Sequence, residues 1–141
     1  MGEEISPVSV FGTVPLFKGL GNEELEAIAK LCKKMEFREG EKIVKEGDAG
    51  LGFYVIVKGG ASVKHKSKTV AQLGRGSFFG EMSLLDSKPR SADVVASEPT
   101  ACLVLLRWNF WSLVSKNTKV VKGLLEEMAG RLRATNEALG E

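Results

Sequence analysis

Between Met35 and Arg107 the apolar residues fall into short stretches, each closed by a glycine-rich or polar turn. The stretches are Phe37, Ile43-Val44, Phe53 to Val57, Ala61 to Val63, Thr69 to Leu73, Asp93 to Ala96 and Cys102 to Leu106. Regularly spaced short strands with turn signals between them fold as a barrel or sandwich, here a β-roll (a double-stranded β-helix of the jelly-roll type). Gly59-Gly60 supplies the positive φ of a tight hairpin, and the polar run Lys64-His65-Lys66-Ser67-Lys68 reads as a second hairpin tip.

Helical patterns flank the roll, so the fold class is mainly β with flanking α. Asn22 is placed to cap a helix in which Glu23 and Glu24 suit the positive end and Leu25, Ile28, Ala29 and Cys32 form an apolar stripe ending near Lys33 or Lys34. After Arg107 the helical pattern returns. Trp108, Phe110 and Trp111 open a short helix, and Val120, Val121, Leu124, Leu125, Met128 and Leu132 put one apolar stripe along a longer one. Gly123 and Gly130 each weaken that helix by roughly 1 kcal/mol relative to alanine. The 141 residues read as one domain: N-terminal helices over 7–34, the roll over 35–107 and C-terminal helices over 108–139.

A hydrophobic share of 43% is enough for an ordinary core. The net charge of +2, from 20 basic and 18 acidic residues dispersed along the chain, makes no case for nucleic acid or a membrane surface as partner. Cys32 and Cys102 are isolated and read as free buried thiols, with a disulfide left open until geometry is known. No secretory signal or apolar run of about 20 residues stands out, which predicts a soluble, cytoplasmic chain.

One segment carries chemistry: Phe78-Phe79-Gly80-Glu81-Met82-Ser83-Leu84-Leu85-Asp86-Ser87-Lys88-Pro89-Arg90-Ser91-Ala92. The Arg90 guanidinium is a planar fork that matches a phosphate bidentately, as a lysine does not. Gly80 allows close backbone approach, and the amides of Glu81, Met82 and Ser83 are predicted to point outward at a short helical turn that suits an anion. Glu81 runs against this, because a carboxylate about 5 Å from a phosphate is repelled by roughly 3 kcal/mol at an effective dielectric near 20. Arg90 must offset that repulsion, and Glu81 needs a task of its own, such as accepting a hydrogen bond from a sugar hydroxyl. His65 is the single histidine and sits among lysines, which argues against a metal site. The run Gly74-x-Gly76-x-x-x-Gly80 has the wrong spacing for a dinucleotide fingerprint and no βαβ unit follows it. Paired catalytic carboxylates, a nucleophile elbow and a Walker sequence are missing as well, so no catalysis is expected.

The run Phe79 to Leu84 followed by Pro89-Arg90-Ser91-Ala92 resembles the phosphate-binding cassette of cyclic nucleotide-binding domains. The likeness extends to Val14-Pro15-Leu16-Phe17-Lys18-Gly19-Leu20, to Glu46-Gly47-Asp48 with Phe53 to Gly60, and to Gln72 to Glu81, covering the chain from about Val10 to about Leu132. The resemblance implies cyclic nucleotide as ligand and no cofactor, with the following roles. Glu81 would accept from the ribose 2′-hydroxyl, Arg90 would pair with the cyclic phosphate, and Gly80, Met82 and Ser83 would offer backbone amides. Ser91, beside Ala92, would place a hydroxyl near phosphate and base. Val63 with Val70 or Ala71 would line the purine face, or else be plain core. Arg131 would cap the base from the last helix, which acts as a lid in this family, or else belong to a solvated helix surface. Family members that prefer cyclic GMP usually carry threonine where Ser91 stands, so cyclic AMP is the expected ligand and cyclic GMP the alternative.

The resulting expectation is a cyclic nucleotide sensor without catalysis that closes its C-terminal helix on binding, with a homodimer or an effector domain contacted through that helix. Alternatives are an interaction domain of the same shape without ligand, or a sensor excised from a larger channel, enzyme or transcription regulator. With no helix-turn-helix after the lid, nucleic acid is not an expected partner.

Overall fold

The computed structural model describes residues 6–50, 52–81, 83–86 and 88–140. Two four-stranded antiparallel sheets face each other. The first runs in the order β1 (Lys33–Phe37), β8 (Thr100–Leu106), β3 (Gly52–Lys58), β6 (Phe78–Phe79). The second runs β2 (Lys42–Val44), β7 (Asp93–Ala96), β4 (Ala61–His65), β5 (Lys68–Leu73). Helices α1 (Pro7–Phe11) and α2 (Asn22–Leu31) precede the roll, α3 (Ser83–Asp86) interrupts it, and α4 (Arg107–Val114) and α5 (Thr118–Ala138) follow it. This is the expected mainly β roll with flanking helices.

Strand periodicity explains why β3 and β8 read as unbroken apolar runs. Side chains alternate between faces, and both faces of these two strands are covered. Phe53, Val55 and Val57 of β3, with Ala101, Leu103 and Leu105 of β8, pack against the helices. Tyr54 and Ile56, with Cys102, Val104 and Leu106, face the inside of the roll. In the helical layer Phe17 lies edge-on to Phe11 (6.1 Å, 84°) and to Phe53 (5.8 Å, 83°), which joins α1, the 3-10 turn Pro15–Phe17 and β3 in one aromatic cluster. Such pairs add about 0.5–1.5 kcal/mol each beyond burial.

Several local expectations are corrected. Gly59 has the positive φ (+89°), but Gly59-Gly60 is no hairpin: β3 pairs with β8 and β6 while β4 pairs with β5 and β7, so the chain here crosses from one sheet to the other. A side chain on Gly59 would run into the Pro99 carbonyl, and the Gly60 amide donates to the Thr100 hydroxyl (3.1 Å). The second hairpin is found, its two-residue tip Lys66-Ser67 having φ of 52° and 66°. Gly21, not Asn22, is the N-cap of α2. That helix stops at Leu31 because Lys33 and Lys34 enter the β1 ladder opposite Val104 and Leu103. The side-chain cap is instead Asn117 of α5, which accepts from the Lys119 and Val120 amides (3.1 and 3.3 Å).

The stripe of α5 divides in two. Val120 and Leu124 are buried and Val121 and Met128 pack beside them, whereas Leu125 and Leu132, with Leu139, are 65%, 64% and 70% exposed. Gly123 lies against the N-terminal segment, where an added side chain would come 3.3 Å from Leu20; around Gly130 the space is open. Both cysteines are free thiols, each pushed up to about 12 by burial. Among the described residues no helix is long and apolar enough to cross a membrane.

Candidate functional site

Arg90 follows Pro89 in the loop between α3 and β7, and its backbone is held on both sides. Its amide donates to the Asp48 carbonyl (2.8 Å) and its carbonyl accepts from the Gly47 amide (2.9 Å), while Ala49 and Pro89 form an isolated bridge. Gly47, at φ +88°, gives the turn that brings this loop round. The loop is anchored in turn by Asp93. Its carboxylate accepts from the Glu46 amide (2.7 Å) and pairs with Lys42 (3.2 Å), and these contacts hold Asp93 below its ordinary pKa, the Glu46 bond contributing most.

The guanidinium turns inward from this clamped backbone. It stands over the Tyr54 ring (5.7 Å), which stacks in parallel on Phe79 (5.0 Å, 3°), and it donates a short hydrogen bond to the Gly52 carbonyl. Burial lowers the Arg90 pKa below the usual arginine value, while Tyr54 and Glu81 act in the opposite direction. An arginine nevertheless keeps its charge in a protein, so the site holds a half-buried permanent cation. Gly80 makes room for it: at φ +82°, a side chain there would collide with the guanidinium.

Beside Arg90 opens a cleft of about 360 Å³, the size of a small-ligand site. Val44, Val63 and Val94 form its apolar wall; Phe79, Gly80, Glu81, Ser83, Asp86 and residues 88–92 form the rest. Apolar surface on one side with a cation and a carboxylate on the other suits a ligand that has a flat apolar part, a hydroxyl and an anionic group.

Gly80, Glu81, Ser83, Arg90, Ser91, Ala92 and Val63 are thus brought together at one cleft. Met82 lies outside the described residues. The Ser83 amide, expected to point outward, donates to the Gly80 carbonyl (3.0 Å) as the chain turns into α3. Val70 and Ala71 do not line the cleft. Both are on β5, the edge strand of its sheet, where Ala71 pairs with Val63 in register and Val70, beside an irregularity, is 59% exposed. Arg131 is on α5, paired with Glu127 (3.3 Å), and among the described residues none from α5 lines the cleft. No group of His, Cys, Asp and Glu residues that could hold a metal is found among the described residues.

Tyr54, Phe79 and the Gly52 carbonyl were not singled out from sequence, yet they position Arg90. A signal existed for Tyr54: it alternates with Phe53 and Val55, so the period of two sends it into the roll. The cross-strand pairing with Phe79 could not be read from local pattern. The rear of the cassette has a further contact. Leu84 is fully buried, its carbonyl accepts from the Trp111 indole (2.6 Å), and the Leu85 carbonyl accepts from Arg107 (3.2 Å), so α4 caps the carbonyl end of α3.

Comparison with known proteins agrees with this geometry. The family model described as cyclic nucleotide-binding domain matches residues 34–117, and the chain belongs to that family. It is 36% identical over 124 residues to the cyclic AMP receptor protein of Thermus thermophilus, covering 84% of this chain and 57% of that protein. It is 35% identical over 113 residues to a cGMP-dependent protein kinase of Plasmodium berghei, covering 80% of this chain and 13% of the kinase. Among solved structures, the N-terminal domain of a transcriptional regulator from Streptomyces coelicolor superposes with a TM-score of 0.85 at 28% identity, covering 92% of this chain and 96% of that one. The chain therefore spans only part of the first two relatives, and domains of this family are regulatory.

Proposed function

We propose that the domain is a cyclic nucleotide sensor whose ligand is cyclic AMP. The observation that carries this reading is the Arg90 guanidinium, held at the cleft by Tyr54 and the Gly52 carbonyl with Glu81 in the same wall. Arg90 pairs with the cyclic phosphate, Glu81 accepts from the ribose 2′-hydroxyl, and the purine lies along Val63, Val44 and Val94. Ser91 faces the base edge. A serine where members that prefer cyclic GMP usually carry threonine favours cyclic AMP, and the name of the Thermus thermophilus relative points the same way; the Plasmodium berghei kinase makes cyclic GMP the competitor to test.

The domain binds in the cytoplasm without catalysing a reaction, and its output leaves through α5. α5 docks on the N-terminal segment, where Gly123 lies against Leu20, and ligand binding draws it toward the cleft. The exposed Leu125, Leu132 and Leu139, spaced seven residues apart, form a seam for a second helix, from another copy of the chain or from an effector domain. Calorimetric titration with both nucleotides tests the reading. Cyclic AMP is expected to bind tighter than cyclic GMP by about 1–2 kcal/mol, the range of one hydrogen bond, and to be recovered unchanged. Tighter cyclic GMP binding would overturn the ligand choice, and no binding of either would overturn the sensor.

A further inference from the structure

His65 sits at the tip of the β4–β5 hairpin, and its ring does not point to solvent alone. Nδ1 lies 3.0 Å from the Ser91 carbonyl and 3.6 Å from a Glu46 carboxylate oxygen. A carbonyl oxygen only accepts, so Nδ1 carries the hydrogen in this arrangement, whether the ring is neutral or charged. These two contacts close a circuit around Arg90. The hairpin tip holds Ser91; Arg90, the residue before it, is bound through its backbone to Asp48 and Gly47; Glu46 adjoins Gly47 and returns to His65. Every other contact in the circuit joins backbone groups that do not titrate. The titratable side chains in it are His65 and Glu46, and histidine is the type that changes charge between pH 5 and 8.

We propose that His65 is a positioning residue for the nucleotide-binding loop and makes ligand affinity depend on pH. This rests on the reading of the cleft as a nucleotide site. Protonation keeps the bond to Ser91 and adds a positive charge beside Glu46, which firms the clasp on the Arg90 loop and adds a cation near an anionic ligand. The charges around the ring work in both directions. Glu46 and Lys45 come from the loop after β2, Arg90 and Asp93 flank the cassette side, and Lys64, Lys66 and Lys68 lie on the hairpin itself. Glu46 is the group in direct contact, and it sets the sign: affinity rises as pH falls.

Cyclic AMP titrations at pH 6.0 and pH 8.0 on the parent, His65→Gln and His65→Ala test the proposal. The parent should bind about two- to fivefold tighter at the lower pH, the coupling expected of one partly exposed charge pair. His65→Gln retains a donor for the Ser91 carbonyl. It should match the parent at pH 8.0 within about twofold and show no change between the two pH values, while His65→Ala should be weaker than the parent at both. A parent with pH-independent affinity, or a glutamine variant that keeps the full slope, overturns this proposal alone. No binding at either pH overturns the reading of the cleft and this proposal with it.

Discussion

Arg90 is half-buried, and among the described residues no carboxylate is found at ion-pair distance from it. Tyr54 and the Gly52 carbonyl hold the guanidinium in place while its fork can still meet an anion. Arg90→Ala should therefore weaken cyclic nucleotide binding by roughly 2–5 kcal/mol, because the ligand phosphate would then face Glu81 uncompensated. The roll should remain folded. Calorimetry checks the loss, and an affinity within about threefold of the parent would remove Arg90 from the site. Cys102 supports a pH prediction of another kind. Its thiol is fully buried, and burial raises its pKa from 9.0 to about 12. A raised folded value means that the unfolded chain deprotonates first, so the stabilisation is complete below pH 9 and is lost as pH rises toward 12. Between pH 8 and 10 the loss from this group is on the order of 1 kcal/mol. Urea unfolding at the two pH values should show a smaller decrease for Cys102→Ala than for the parent, and equal decreases would contradict the assignment.

Among the elements, α5 is the one whose sequence works partly against its own structure. Gly123 has a packing reason, its close approach to Leu20, whereas Gly130 has open space around it. Gly130→Ala should stabilise the protein by up to about 1 kcal/mol, read as a higher melting temperature, while a lowered one would mean that the position is packed after all. The same helix shows the limit of one-dimensional pattern. Helical spacing put Leu125 and Leu132 in one apolar stripe with Val120 and Leu124, but the docking of Val120 and Leu124 leaves those two leucines outside. Strands were legible because apolar runs and turns are local signals: β7 is found at Asp93–Ala96, as expected. Gly59-Gly60 was misread because a glycine pair reports a positive φ and says nothing about which strand the chain pairs with next. The C-terminal end of α2 was misread because β1 pairing with β8 competes for Lys33 and Lys34, whose partners Val104 and Leu103 are distant in sequence. The cassette was legible as a contiguous motif, and Gly80, Glu81, Ser83, Arg90, Ser91 and Ala92 from it meet at the cleft with Val63. Val70, Ala71 and Arg131 lie on elements whose placement depends on tertiary contacts, and they are elsewhere.

At the scale of the whole molecule, the ligand cleft and the C-terminal helices share one core through the cassette. Leu84 is buried in the helical layer, and Trp111 and Arg107 bind the carbonyls of Leu84 and Leu85, so α3 and α4 are directly joined. A ligand can move that equilibrium only by its differential affinity for the two arrangements. A sensor of this kind requires that cyclic AMP change both the cassette and α5, although none of the described residues of α5 lines the cleft. Hydrogen exchange with and without cyclic AMP measures this most directly. Protection is expected to rise both at the cassette, residues 80–92, and in the helix, residues 124–133. Protection confined to the cassette would show that α5 is ordinary packing, and no added protection at either would contradict the reading of this cleft as a nucleotide sensor.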